Sequence, residues 1–176
     1  MTSPNLLAML TKAAALFHVD FAPRHAQPPG ARVLLATLIS LAGSLLADAL
    51  VVVIAQALIP STRGYEHFQF MDYSKLTVIG VLIACAAWPV TTRISSQPRW
   101  LFFRMAIAVT LVLFLPDFYI LYKGQPGNAV AFLFVMHVAI ALVTYNALVR
   151  LAPVRPDRPA PHYAAHRARG RVDYHG

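Results

Sequence analysis

Charge is what this 176-residue chain has least of. Only 12% of its residues are Asp, Glu, Lys or Arg, about half the share in soluble domains. Acids are scarcest, 7 against 15 Lys and Arg, so the net charge is +8. There is one cysteine, Cys85. That excludes an intrachain disulfide, a zinc site built on several thiolates and paired-thiol redox chemistry. Cys85 reads as a small apolar filler within a helix. The chain has no GxSxG elbow, no P-loop and no dinucleotide fingerprint. Asn128 lacks the Ser or Thr two positions on that glycosylation needs. The first apolar cluster, "NLLAMLTKAAALF", is interrupted by Lys12 and leads to no small-residue cleavage pattern, so no secretory signal peptide is expected.

What is present is apolar: 58% of the residues, with a positive mean hydropathy. One domain of this length buries too little surface to hide that much in water, which points to a bilayer as solvent. Four apolar runs stand out, at about 33–59, 74–90, 101–121 and 128–149. Each approaches the roughly 20 residues a helix needs to cross about 30 Å of hydrocarbon. Without water the backbone must bond within its own segment, so the runs are expected to be helices. The polar–apolar alternation of a barrel strand is missing. The expected fold is all-α, an integral membrane four-helix bundle, with residues 32–150 forming the membrane domain.

Twelve of the fifteen Lys and Arg fall on the N-terminal arm, around the connection between the second and third runs, and on the C-terminal tail. Arg63, Lys75 and Lys123 remain for the other side. This asymmetry predicts both termini in the cytoplasm and places the protein in the plasma membrane. Trp88 and Trp100 are expected at headgroup depth beside the cytoplasmic connection. The basic balance is thus mostly topology, and no nucleic-acid partner is expected, since no recognition motif accompanies it. The arm, residues 1–31, carries Leu6, Leu7, Leu10, Ala13, Ala14 and Phe17 at helical spacing, which suits either an interfacial amphipathic helix or a frayed terminus. The tail, residues 151–176, is rich in Pro, Arg and His and poor in large aliphatics; it is expected to stay disordered near anionic lipid headgroups.

Polar residues inside the runs are the candidate sites. Asp48 sits near the middle of the first run, where a charge costs about 3 kcal/mol or more. Thr37, Ser40, Ser44 and Asp48 share one helix face, with Gly43 and Ala47 beside it. Small and hydroxylated residues allow close helix approach. The second run has a matching stripe of Thr77, Gly80, Ala84, Ala87 and Thr91, so these two helices are expected to pack through Ser40, Gly43, Ser44, Gly80 and Ala84. His137 lies in the fourth run at a depth similar to that of Asp48. A buried Asp48–His137 pair would be either a structural contact that fixes register or a proton-titrating centre. In "LFLPDFYILYKG", Pro116 removes a helix hydrogen bond. Asp117 there either reaches water or Lys123 at the outer interface, or forms a gate or ion site. Haem ligation lacks a second histidine within the runs. His162 and His166 in the tail have metal-like spacing but no further ligands, so neither metal nor cofactor is expected. Glu66, His67 and Asp72 with nearby aromatics read as a solvated loop at the interface.

The stretches "LFLPD" and "MHVAIALV", the latter from Met136, carry a resemblance. Over roughly Arg32 to Val149 the chain resembles a family of small actinobacterial membrane proteins catalogued only as a domain of unknown function. The resemblance implies a four-helix fold and no particular activity. The leading functional expectation is a non-enzymatic accessory or interaction protein of the plasma membrane, with a membrane protein partner or a second copy. The alternative is a proton-coupled small-molecule transporter using a buried Asp–His pair.

Overall fold

The computed structural model describes residues 4–16, 18–19 and 25–156. It is all-α apart from one two-residue strand pair. A short helix α1 (Pro4–Leu16) precedes four long ones: α2 (Gly30–Leu58), α3 (Phe70–Ile94), α4 (Pro98–Tyr122) and α5 (Gly127–Leu151). These four are long and apolar enough to cross a membrane. Each exceeds its apolar run at one end or both. α3, for example, starts four residues before the expected Ser74 and takes in Arg93 at its far end. Prolines open the helices where their missing N–H costs nothing: Pro29 precedes α2, Pro98 begins α4 and Pro126 precedes α5.

The α4–α5 turn closes on Gly124, at φ +88°. Its N–H bonds the Leu121 carbonyl and the Gln125 N–H bonds Ile120. This is a Schellman cap, whose left-handed residue suits glycine. So short a turn forces α4 and α5 to be antiparallel neighbours. The α2–α3 connection is longer, with single 3₁₀ turns at Pro60–Thr62 and Glu66–Phe68.

α2 packs most extensively against α5 and less against α3, while α4 leans mainly on α5. α2 and α3 are in contact, but Thr77 and Cys85 of α3, not Gly80 and Ala84, meet the buried stripe of α2. Gly43 does sit at a close approach, but to α5: a Cβ there would meet Val143 Cγ1 at 2.9 Å. Gly80 is exposed with open space around it, and Ala84 is half-buried. The buried stripe of α3 is instead Thr77, Val81, Cys85, Trp88, Thr91 and Thr92. Larger side chains fill the interior there, and the Gly–Ala stripe is turned aside.

Trp88, expected at headgroup depth, turns its ring into the bundle. It is fully buried and donates Nε1–H to the Ala152 carbonyl at 3.0 Å. An indole with its N–H satisfied is a large apolar filler, and Trp88 anchors a cluster with Ala36, Val81, Phe102 and Leu148. A second apolar cluster at the opposite end of the bundle contains Val51, Val52, Ala55, Phe68, Leu133 and Met136.

Both chain ends meet at the Trp88 end. β1 (His25–Ala26) pairs antiparallel with β2 (Arg155–Pro156), so the first residues of the expected disordered tail are held. Thr92 is the latch: its carbonyl accepts from His25 Nε2 (2.8 Å) and Gln27 Nε2 (2.9 Å), and its hydroxyl bonds Gln27 Oε1. Trp100 receives His18 edge-on and Arg104 over its face. The rest of the tail, with His162 and His166, lies outside the described residues. So do the side chains of Leu6, Leu7, Leu10, Ala13 and Phe17, although their stretch up to Leu16 is helical.

Candidate functional site

Between the two apolar clusters lies a polar layer. α2 places Ser40, Ser44 and Asp48 on its inner face at helical spacing, all fully buried. Each meets a different neighbour. Ser40 faces Cys85 of α3, itself buried as expected. Ser44 Oγ lies 3.4 Å from Thr144 Oγ1 of α5. Asp48 Oδ2 accepts a 2.6 Å bond from the Thr77 hydroxyl of α3. Asp48 Oδ1 and Ser40 Oγ have no hydrogen-bond partner among the described residues. A buried carboxylate oxygen left so is costly, and that makes it informative.

His137 is where the structure rearranges the expected pairing. Its direct acidic neighbour is Asp117 of α4, with Nδ1 at 3.1 Å from Asp117 Oδ2. Asp48 is within electrostatic reach of His137 but is not its contact. Nδ1 also lies 3.0 Å from the Leu133 carbonyl one turn back in α5. One N–H cannot serve both; its alignment favours the carbonyl, so Asp117 Oδ2 faces the ring without a hydrogen bond. Asp117 is only 5% exposed, so it does not reach out to water or Lys123. Lys123 lies over the Tyr119 ring instead. Aromatic rings wall the pair: Phe114 stacks edge-on with both Phe134 and His137, and Phe118 packs on Phe134. Asp117 sits one residue past Pro116, yet α4 continues unbroken to Tyr122.

Tyr65, one of the aromatics beside Glu66, is the residue that sequence reasoning missed. The loop folds its ring onto Phe68, and its hydroxyl is buried without a partner. Burial first, then the charges of Glu66 and Asp117, push this hydroxyl above its ordinary value of 10.0. Only the nearby "FQF" aromatics hinted that the loop would fold back on the bundle. The other loop acids behave as solvated groups: His67 lies 3.6 Å from both Glu66 and Asp72, all at least partly exposed.

Among the described residues no group of three or more His, Cys, Asp or Glu is placed to hold a metal. No Lys or Arg there pairs with Asp48, Asp117 or His137. The site is therefore two carboxyls and one imidazole, held by hydroxyls and rings without a fixed cation. Such a set can share and exchange protons. Comparison with protein-family models, curated proteins and solved structures finds no match to this chain.

Proposed function

We propose that this chain is a multi-pass protein of the plasma membrane, with both termini cytoplasmic, acting as an accessory or interaction protein rather than an enzyme. The observation that carries the membrane reading is inverted polarity. Ser40, Ser44, Asp48, Thr77, Asp117 and Thr144 are inside, while Leu46 and Leu76 are more than 70% exposed outside. In water such a surface would aggregate; in lipid it costs nothing. The positive-inside asymmetry supports the orientation.

The interaction reading is supported by α4. It is the least buried of the four long helices, held mainly along α5. Its free face, with Val109 and Leu115, leaves room for a transmembrane helix of a partner protein, which would associate by close packing, since lipid solvates an apolar face as well as a helix does. A photo-crosslinker at Val109 is expected to trap a protein partner in native membranes, while one at Leu46 of α2 traps lipid. Equal protein capture at both positions would end this reading.

Proton-coupled small-molecule transport is the second reading, favoured by the Asp117–His137 contact and the nearby buried Asp48. In proteoliposomes it predicts a pH-dependent flux that Asp117→Asn abolishes while the protein still elutes as one species.

A further inference from the structure

We propose that Asp117 and His137, in contact with each other, and Asp48, bonded to Thr77, form a proton-binding layer inside the bundle, enclosed between the two apolar clusters. The inference rests on the membrane reading above, not on transport.

Charge counting is the first support. With both carboxyls ionised and the imidazole neutral the trio carries two negative charges. Two added protons make it neutral, either one on each carboxyl or one on a carboxyl and one on the imidazole. Among the described residues, the titratable groups within electrostatic reach of it are Tyr73 from α3, beside Asp48, and Tyr65 from the loop, beside Asp117. None of these is a cation, so neutrality comes from bound protons. The second support is geometric. Asp48 is fully buried and Asp117 nearly so, and each keeps an oxygen without a hydrogen-bond partner. Those are the atoms free to take a proton. The third is enclosure. Ala36, Val81, Trp88 and Leu148 on one side of the layer and Ala55, Ala129, Val130 and Met136 on the other are all buried, so a charge left between them is poorly screened by water. On uptake, an O–H bond of solvent hydronium breaks and one forms at a carboxylate oxygen, leaving water outside; no oxidant or other reactant is involved.

The test is infrared difference spectroscopy of the full chain in lipid nanodiscs, stepped between alkaline and acidic pH. Acidification is expected to raise the C=O stretch of a protonated, buried carboxyl. Asp48→Asn and Asp117→Asn should each remove part of it. Thr77→Val keeps every carboxyl but frees Asp48 Oδ2, and it should shift the band's frequency. The proposal is overturned if the wild type shows no such band, or if all three variants leave it unchanged. An absent carboxyl band would leave membrane insertion and crosslinking from Val109 untouched, so the two failures are distinguishable.

Discussion

Thr77 and Asp48 meet through a 2.6 Å bond in a buried layer, and that carboxyl has no other hydrogen-bond partner among the described residues. Thr77→Val keeps the shape and removes the donor. It is expected to cost about 1–2 kcal/mol, the upper range for side-chain hydrogen bonds between membrane helices. Thermal unfolding in detergent would read this as a lowered midpoint, and an unchanged midpoint would show that Asp48 is satisfied another way. Tyr65 offers the opposite case. Its hydroxyl is buried without a partner, so Tyr65→Phe is expected to be neutral or stabilising by up to about 1 kcal/mol. The same change alters alkaline behaviour. Because the folded chain raises the Tyr65 pKa, folding holds that proton more tightly than the unfolded chain does. The resulting stability is fully present below the ordinary value of 10.0 and is lost as pH rises through the folded value. A pH series of unfolding midpoints should therefore fall less steeply above pH 10 in Tyr65→Phe than in the wild type.

Among elements, the two glycines once expected to act alike should now separate. At Gly43 a new methyl meets the stiff side chain of Val143 at 2.9 Å, so Gly43→Ala must part α2 from α5, at about 1–3 kcal/mol. At Gly80 nothing lies within 4 Å, and Gly80→Ala should stabilise α3 by about 0.5–1 kcal/mol. Parallel thermal melts check both; equal shifts would mean that α2 and α5 are not in close contact at Gly43. Stripes of small residues were visible on both helices in the sequence. Which stripe meets a neighbour depends on helix rotation, and that was set by Val81, Cys85 and Trp88, the larger side chains that claimed the interior. The adjacency of α4 and α5 was legible, because their connection is only a short turn. The Asp117–His137 contact was not, since counting residues from the helix ends pairs His137 in depth with Asp48.

At the scale of the whole molecule, four antiparallel helices put the 59–69 loop and the Gly124 turn at one end and the β1–β2 pair at the other. The proposed orientation predicts that a single cysteine at Ser61 in a Cys85→Ala background reacts with an impermeant reagent on intact cells. One at Ser96 should react only after permeabilisation. The reverse pattern would invert the orientation. The β1–β2 pairing and the Thr92 latch also tie the two arms together at the Ser96 end. Thr92→Val removes the hydroxyl bond to Gln27 but keeps the Thr92 carbonyl. It should leave α2–α5 helical and make the arm near residue 25 more open to limited proteolysis.

Composition and the lengths of the apolar runs were enough to settle four long helices, because backbone satisfaction in an apolar medium is a local demand that each segment meets by itself. The clustering of arginines likewise needed no coordinates to distinguish one end of the bundle from the other. Which polar groups touch inside was decided only in three dimensions. A helix's rotation and tilt follow from packing against its neighbours, and a shift of one residue around α3 or α5 exchanges one partner for another.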